Sequence, residues 1–161
     1  MIATRHLIWM TSTVALMVFA CKHDPTSNLA DLDLLSHGMP IVIKAPVDPE
    51  IRKMDLVFMK DITVVKGDEY NIQIFESEAT SRDLATIKAR LMNEVKINPY
   101  FVAILQDDAA GFIYESRVDS SYTNYGFRHV RIQGDKEYTF QQGLRGKFAR
   151  EAIETMYAAV Q

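Results

Sequence analysis

Residues 69–74 read Glu69-Tyr70-Asn71-Ile72-Gln73-Ile74. Polar and apolar side chains alternate with a period of two, the pattern of a strand with one dry and one wet face. Upstream, Lys66-Gly67-Asp68 is a turn, and residues 54–59 and 62–65 form an apolar stretch before it. The runs on either side of Gly67 predict a hairpin. Downstream the period changes. Leu84, Ile87, Leu91 and Val95 fall three and four apart, one apolar stripe along a helix. Thr80 with Asp83 three residues later predicts a capping-box-like start. Asn98-Pro99 ends the helix, because a residue before proline is pushed out of the α region. A strand, a helix and a return to strands are thus legible within forty residues.

The same reading extends both ways. Residues 100–105, YFVAIL, are apolar throughout, which predicts a strand buried on both faces and central in its sheet. Gly111 opens the next strand, with Phe112, Tyr114 and Val118 on one face. Residues 122–132 form a long strand with apolar groups at both parities. Gln133-Gly134-Asp135 turns the chain into a strand where Tyr138 and Phe140 alternate with Glu137, Thr139 and Gln141. Residues 148–160 predict a second helix with Ile153, Met156, Tyr157 and Val160 as its stripe, and Ala149 is a poor residue for its cap. Upstream of the hairpin, Ile41-Val42-Ile43 is a short strand closed by Pro46 and Pro49. The order is β-β-β-α-β-β-β-β-α. It predicts an α+β fold, with a mostly antiparallel sheet of about six to seven strands packed by two helices.

Composition narrows the function classes. The chain has 161 residues, 48% hydrophobic and 24% charged, which suits one ordinary domain. Lysine and arginine total 18 against 21 acids, a net charge of -3. No basic face is available for nucleic acid. The single cysteine excludes a disulfide framework and any multi-cysteine metal site. No phosphate loop, GxSxG, HExxH or dinucleotide fingerprint occurs, and no metal or cofactor is expected.

The first twenty residues read as a targeting segment. Arg5 and His6 precede fourteen uncharged residues, 7–20. That run is short of the ~20 residues of a spanning helix and fits the ~7–15 of a signal h-region. Val18-Phe19-Ala20-Cys21 resembles the lipobox of bacterial lipoprotein signal peptides. The resemblance implies a diacylglyceryl thioether and palmitate-type acylation on Cys21, and a mature chain of 21–161. Cleavage removes one arginine and no acid, so the charge becomes -4. Lys22, standing where aspartate would retain an enteric lipoprotein in the inner membrane, points to the outer membrane. Residues 21–38, rich in turn formers, are expected to tether a single α+β domain at 39–161 to the envelope membrane.

The domain itself resembles a type of small uncharacterised lipoprotein of Bacteroidetes-like bacteria. Met39-Pro40-Ile41, Asn71-Ile72-Gln73-Ile74-Phe75, Asn98-Pro99-Tyr100-Phe101 and Gly111-Phe112-Ile113-Tyr114 carry the likeness, with Gly134-Asp135-Lys136-Glu137-Tyr138. The element order also resembles the PsbP-like sandwich, which implies a non-enzymatic binding or assembly role. Aromatics concentrate between Gly111 and Phe140, and Tyr114, Tyr122, Tyr125, Phe127 and His129 are the candidate interaction surface. The expected partner is an envelope protein or a small ligand. The alternative is a hydrolase-like envelope enzyme whose site is assembled from scattered acids and tyrosines.

Overall fold

The computed structural model describes residues 24–56, 58–119, 122–144 and 146–161. Ala30–Asp33 (β1) leads through a 3-10 turn at Leu35–His37 to Val42–Ala45 (β2), and the two strands pair antiparallel as a ribbon. Glu50–Leu56 (β3), Met59–Lys66 (β4) and Tyr70–Glu78 (β5) form a meander. Helix Leu84–Lys96 (α1) then carries the chain to a second meander, Phe101–Asp107 (β6), Gly111–Asp119 (β7), Tyr122–Gln133 (β8) and Lys136–Gln142 (β9). Helix Arg150–Ala159 (α2) follows. β9 pairs antiparallel with β5 and welds the meanders into a seven-stranded sheet, in the order β3-β4-β5-β9-β8-β7-β6. The fold is α+β.

The helices lie on opposite faces, and strand alternation explains why. On β8, Phe127 points into the core beneath α2, while Val130 points into the core beneath α1. On β7, Ile113 and Phe112 divide in the same way. The α1 core is small: Ile87, Leu91 and Val95 against Phe112 and Val130. The α2 core is larger, because the ribbon adds Ile41, Ile43 and Ala45 to Ile153, Met156 and Tyr157. Asp83 is the N-cap of α1. Its carboxylate accepts from the Ala85 backbone N–H and the Thr86 hydroxyl. That places Asp83 at the cap itself rather than at the third helical position that a Thr80 start implies. Ala149 caps α2 without a side-chain bond.

Three further differences from the sequence reading have physical causes. The stretch 54–65 is two strands, not one, because the chain turns just before Met59 and β3 returns along β4. β3 is an exposed edge carrying Glu50, Arg52, Lys53 and Asp55, so it lacks the alternation that marks a buried strand. The segment 21–38, expected as a tether, contains β1 from Ala30, and Leu34 is fully buried. Leu29 and Leu32 also pack on the larger core, so the packed body begins ahead of Met39. Finally, β6 is an edge strand rather than a central one. Its apolar residues do meet both cores, Leu105 on the α2 side and Phe101 and Ile104 on the α1 side. None of its residues is fully buried and Val102 is 46% exposed, so the expected burial on both faces is not met.

Candidate binding face

The α2 face of the sheet is filled, whereas the α1 face is half open. α1 packs chiefly on β8, and on β3, β4 and β5 the same face is closed mainly by its own polar side chains, which leave Asn71 and Gln73 under 10% exposed. The open half is not apolar. Cross-strand pairing sets Arg52 opposite Thr63, Thr63 opposite Gln73, Gln73 opposite Gln141, and Gln141 opposite Arg128. Directly opposed residues share a face, so five neighbouring strands present one continuous polar row. At ~4.8 Å per strand the row is about 19 Å long.

Its middle is fixed by hydrogen bonds. The Gln141 amide donates to Gln73 Oε1 at 3.1 Å, and the Gln73 amide donates to Asp61 Oδ2 at 2.6 Å. Gln73 is only 9% exposed. A polar side chain held this way has surrendered its rotamer freedom on folding, not on meeting a ligand. Arg52, at one end, is forked onto Glu50 at 2.7 and 2.9 Å. A depression of about 240 Å³ opens over this end, between Arg52, Asp61, Thr63 and Gln73.

The other end differs. The Arg128 guanidinium donates to the Phe127 carbonyl and lies over the Tyr114 ring, 5.7 Å from its centre. It has no carboxylate partner among the described residues. Tyr114 can lie there because its directly paired neighbour is Gly126. A Cβ on Gly126 would come within 2.5 Å of the Tyr114 ring. Beyond Arg128 a cleft of about 550 Å³ runs between α1 and the sheet. Met59, Phe75 and Leu91 give it an apolar floor, and Arg90, Glu94 and Glu137 line it as well. Arg90 spans from α1 to β9, bonding Glu137 at 2.6 Å and Glu94 at 3.1 Å.

The aromatic residues expected to form one surface are divided by the fold. Phe127 is fully buried beneath α2, edge-on to Tyr157 at 5.9 Å, and His129 is buried between the rings of Phe140 and Tyr157. These two are core residues, because their face is the one that α2 covers. Tyr125 packs half-buried against the same core. Tyr122 sits at the start of β8 with the Lys147 ammonium 4.4 Å above its ring. Tyr114 lies on the other face, packed half-buried against the small α1 core and beneath Arg128. Cys21 and the signal segment 1–20 lie outside the described residues.

The acids and tyrosines of the alternative reading meet at one place on the α2 side. The Tyr157 hydroxyl donates to Asp108 Oδ2 at 2.8 Å. Burial, then that bond to Asp108, pushes the Tyr157 hydroxyl well above its ordinary value. His129 beside it is pushed down to about 4 by burial first and the Arg131 charge second, against a smaller upward pull from Asp108. It is therefore a neutral ring, and its Nδ1 finds no hydrogen-bond partner. Nearby, Glu76 is buried beside Lys60 at 3.2 Å. The Tyr138 hydroxyl is raised to about 12 by burial and then by Glu76. Among the described residues no three His, Cys, Asp or Glu side chains are placed to share a metal ion, and no helix is long and apolar enough to cross a membrane.

Arg128, Gln73, Gln141 and Asp61 are the residues that aromatic density does not find. Among them only Gln73 takes a sequence signal from the polar parity of the strand at 69–74, and the structure corrects that reading: Asn71 and Gln73 are buried, so the parity expected to be wet is not. In comparisons with known proteins, the chain matches no family profile, no curated protein and no solved structure.

Proposed function

We propose that this chain is a lipid-anchored bacterial envelope protein, held in the outer membrane through Cys21, that works as a non-enzymatic binding module. Its recognition surface is the open half of the α1 face. The reading rests on one observation above all. A polar row from Arg52 to Arg128 crosses five strands, is prealigned by the Gln141–Gln73–Asp61 bonds, and ends at an arginine with no carboxylate partner among the described residues. The partner is an envelope protein or small ligand that offers hydrogen-bond donors and acceptors to the amides and a negative group to Arg128. Apolar parts of such a partner fit the Met59–Phe75–Leu91 floor of the neighbouring cleft.

Two measurements test the reading. Mass spectrometry of the membrane fraction is expected to find an acylated N-terminal Cys21. Arginine-directed labelling with phenylglyoxal, with and without envelope extract, is expected to find Arg128 protected by the extract. An unacylated protein in the soluble fraction contradicts the anchor. Equal labelling of Arg128 under both conditions contradicts the assigned surface.

A further inference from the structure

The proposed anchor determines which end of the molecule meets the membrane. Three Cα steps separate Cys21 from Asp24, and they extend at most about 11 Å. From Asp24 the chain is a compact turn. The Asp24 carboxylate accepts from the Thr26 N–H and hydroxyl, and the Thr26 carbonyl accepts from the Leu29 N–H. Leu29 then shares a cavity wall with Pro46, Lys66 and Lys147. These residues belong to the β2–β3, β4–β5 and β9–α2 connections, all at one end of the sheet. An acylated Cys21 holds that end against the bilayer.

Two of those connections put large apolar side chains into solvent. Leu144 is 87% exposed and Val47 is 67% exposed. On the connection that carries Leu144, Lys147 sets its ammonium over the Tyr122 ring. Exposed aliphatics beside a tyrosine and a lysine suit the membrane–water interface, where an amphipathic ring and a snorkelling lysine both find their preferred depth. Charge is not the attraction. Lys66, Arg145 and Lys147 share these loops with Asp48, Asp68 and Glu69, an even balance, and Lys66 is bonded to the Asp48 carbonyl.

We infer that this end docks on the neutral interface of a lipid bilayer, with Val47 and Leu144 entering it beside the anchor. The inference rests on the acylation proposed above. It sets the strands pointing away from the membrane, brings the depression at the Arg52 end, which Leu144 lines, next to the bilayer, and leaves the Arg128 end of the polar row facing sideways. Phe58, 90% exposed just before β4, then lies about 23 Å from the docked end, the length of that strand.

The mature chain provides a clean optical test, because the single tryptophan, Trp9, is in the segment removed. Leu144→Trp and, as the control, Phe58→Trp are prepared as full lipidated protein in phosphatidylcholine vesicles with brominated acyl chains. Leu144→Trp is expected to emit further to the blue and to be quenched several-fold more than Phe58→Trp, equally in low and high salt. If the two behave alike while mass spectrometry of the same sample shows acylated Cys21, docking is overturned and the anchor stands. Quenching that vanishes in high salt also overturns docking at a neutral interface. An unacylated Cys21 overturns the inference and the reading beneath it together.

Discussion

Arg128 lies over Tyr114, its guanidinium carbon 5.7 Å from the ring centre, on the sheet face that carries α1. The guanidinium also donates to the Phe127 carbonyl, and lysine cannot reproduce both contacts with one compact ammonium. Arg128→Lys therefore separates charge from geometry. The stacking contributes ~0.5–1 kcal/mol, so Arg128→Lys and Arg128→Ala are each expected to lower unfolding stability by no more than about 1 kcal/mol. Urea melts of the two variants check this. A loss of several kcal/mol makes Arg128 a structural residue.

Arg90 makes two ion pairs of unequal worth. Its bond to Glu94 is an exposed i,i+4 pair, which typically adds ~0.3–0.5 kcal/mol. Its bond to Glu137 reaches a carboxylate that is buried on β9. Arg90→Ala leaves that carboxylate uncompensated and is expected to cost about 2 kcal/mol, less than a fully buried pair because Arg90 itself is half exposed. Glu94→Ala costs about 0.5 kcal/mol. The double variant Arg90→Ala, Glu137→Leu regains most of the loss, and a double-mutant cycle measures it.

His129 makes stability depend on pH in a definite direction. Burial holds its folded value near 4, below the ordinary 6.5. Between those values the unfolded chain takes up a proton that the folded chain refuses. Its contribution is fully present above 6.5 and is lost as pH falls toward 4, with a slope of at most ~1.4 kcal/mol per pH unit. His129→Phe removes both the titration and the unpartnered Nδ1 between two aromatic rings. Urea midpoints measured near pH 7 and near pH 5 are expected to fall for the wild type and to fall less for the variant. Identical pH dependence in the two proteins contradicts the assignment.

Two phenylalanines set the scale of burial. Phe127 is fully buried and Phe58 is almost fully exposed. Phe127→Ala is expected to cost ~3–5 kcal/mol, and Phe58→Ala to stay within about 0.5 kcal/mol. Thermal unfolding distinguishes them directly.

The sequence shows the period-two strand at β5, the stripe of α1 and the long two-sided β8, because each buries one or both faces and burial writes periodicity into the chain. It conceals β3, whose edge position lets charged residues stand at every parity. It conceals β1 as well, whose Asp31 and Asp33 mask the inward Leu32. The edge position of β6 is hidden for the opposite reason: apolar residues at both parities give it the composition of a central strand, although it is only half-buried. The aromatic residues between Gly111 and Phe140 look like one cluster along the chain. In space alternate parities part them, and Phe127 and His129 go under α2 while Tyr114 goes to the α1 side. The polar row is the least legible feature. Neighbouring members are 10 to 68 positions apart along the chain, and only strand register lines them up.

The most direct test of the central claim is a matched capture from the native bacterial envelope, using the full lipidated protein, Arg128→Ala, Gln73→Ala and the control Phe58→Ala. The account predicts that the wild type and Phe58→Ala retain the same envelope component at the same level, that Arg128→Ala and Gln73→Ala lose at least tenfold of it, about 1.4 kcal/mol of binding, and that all four unfold cooperatively. Equal retention by all four proteins would contradict it.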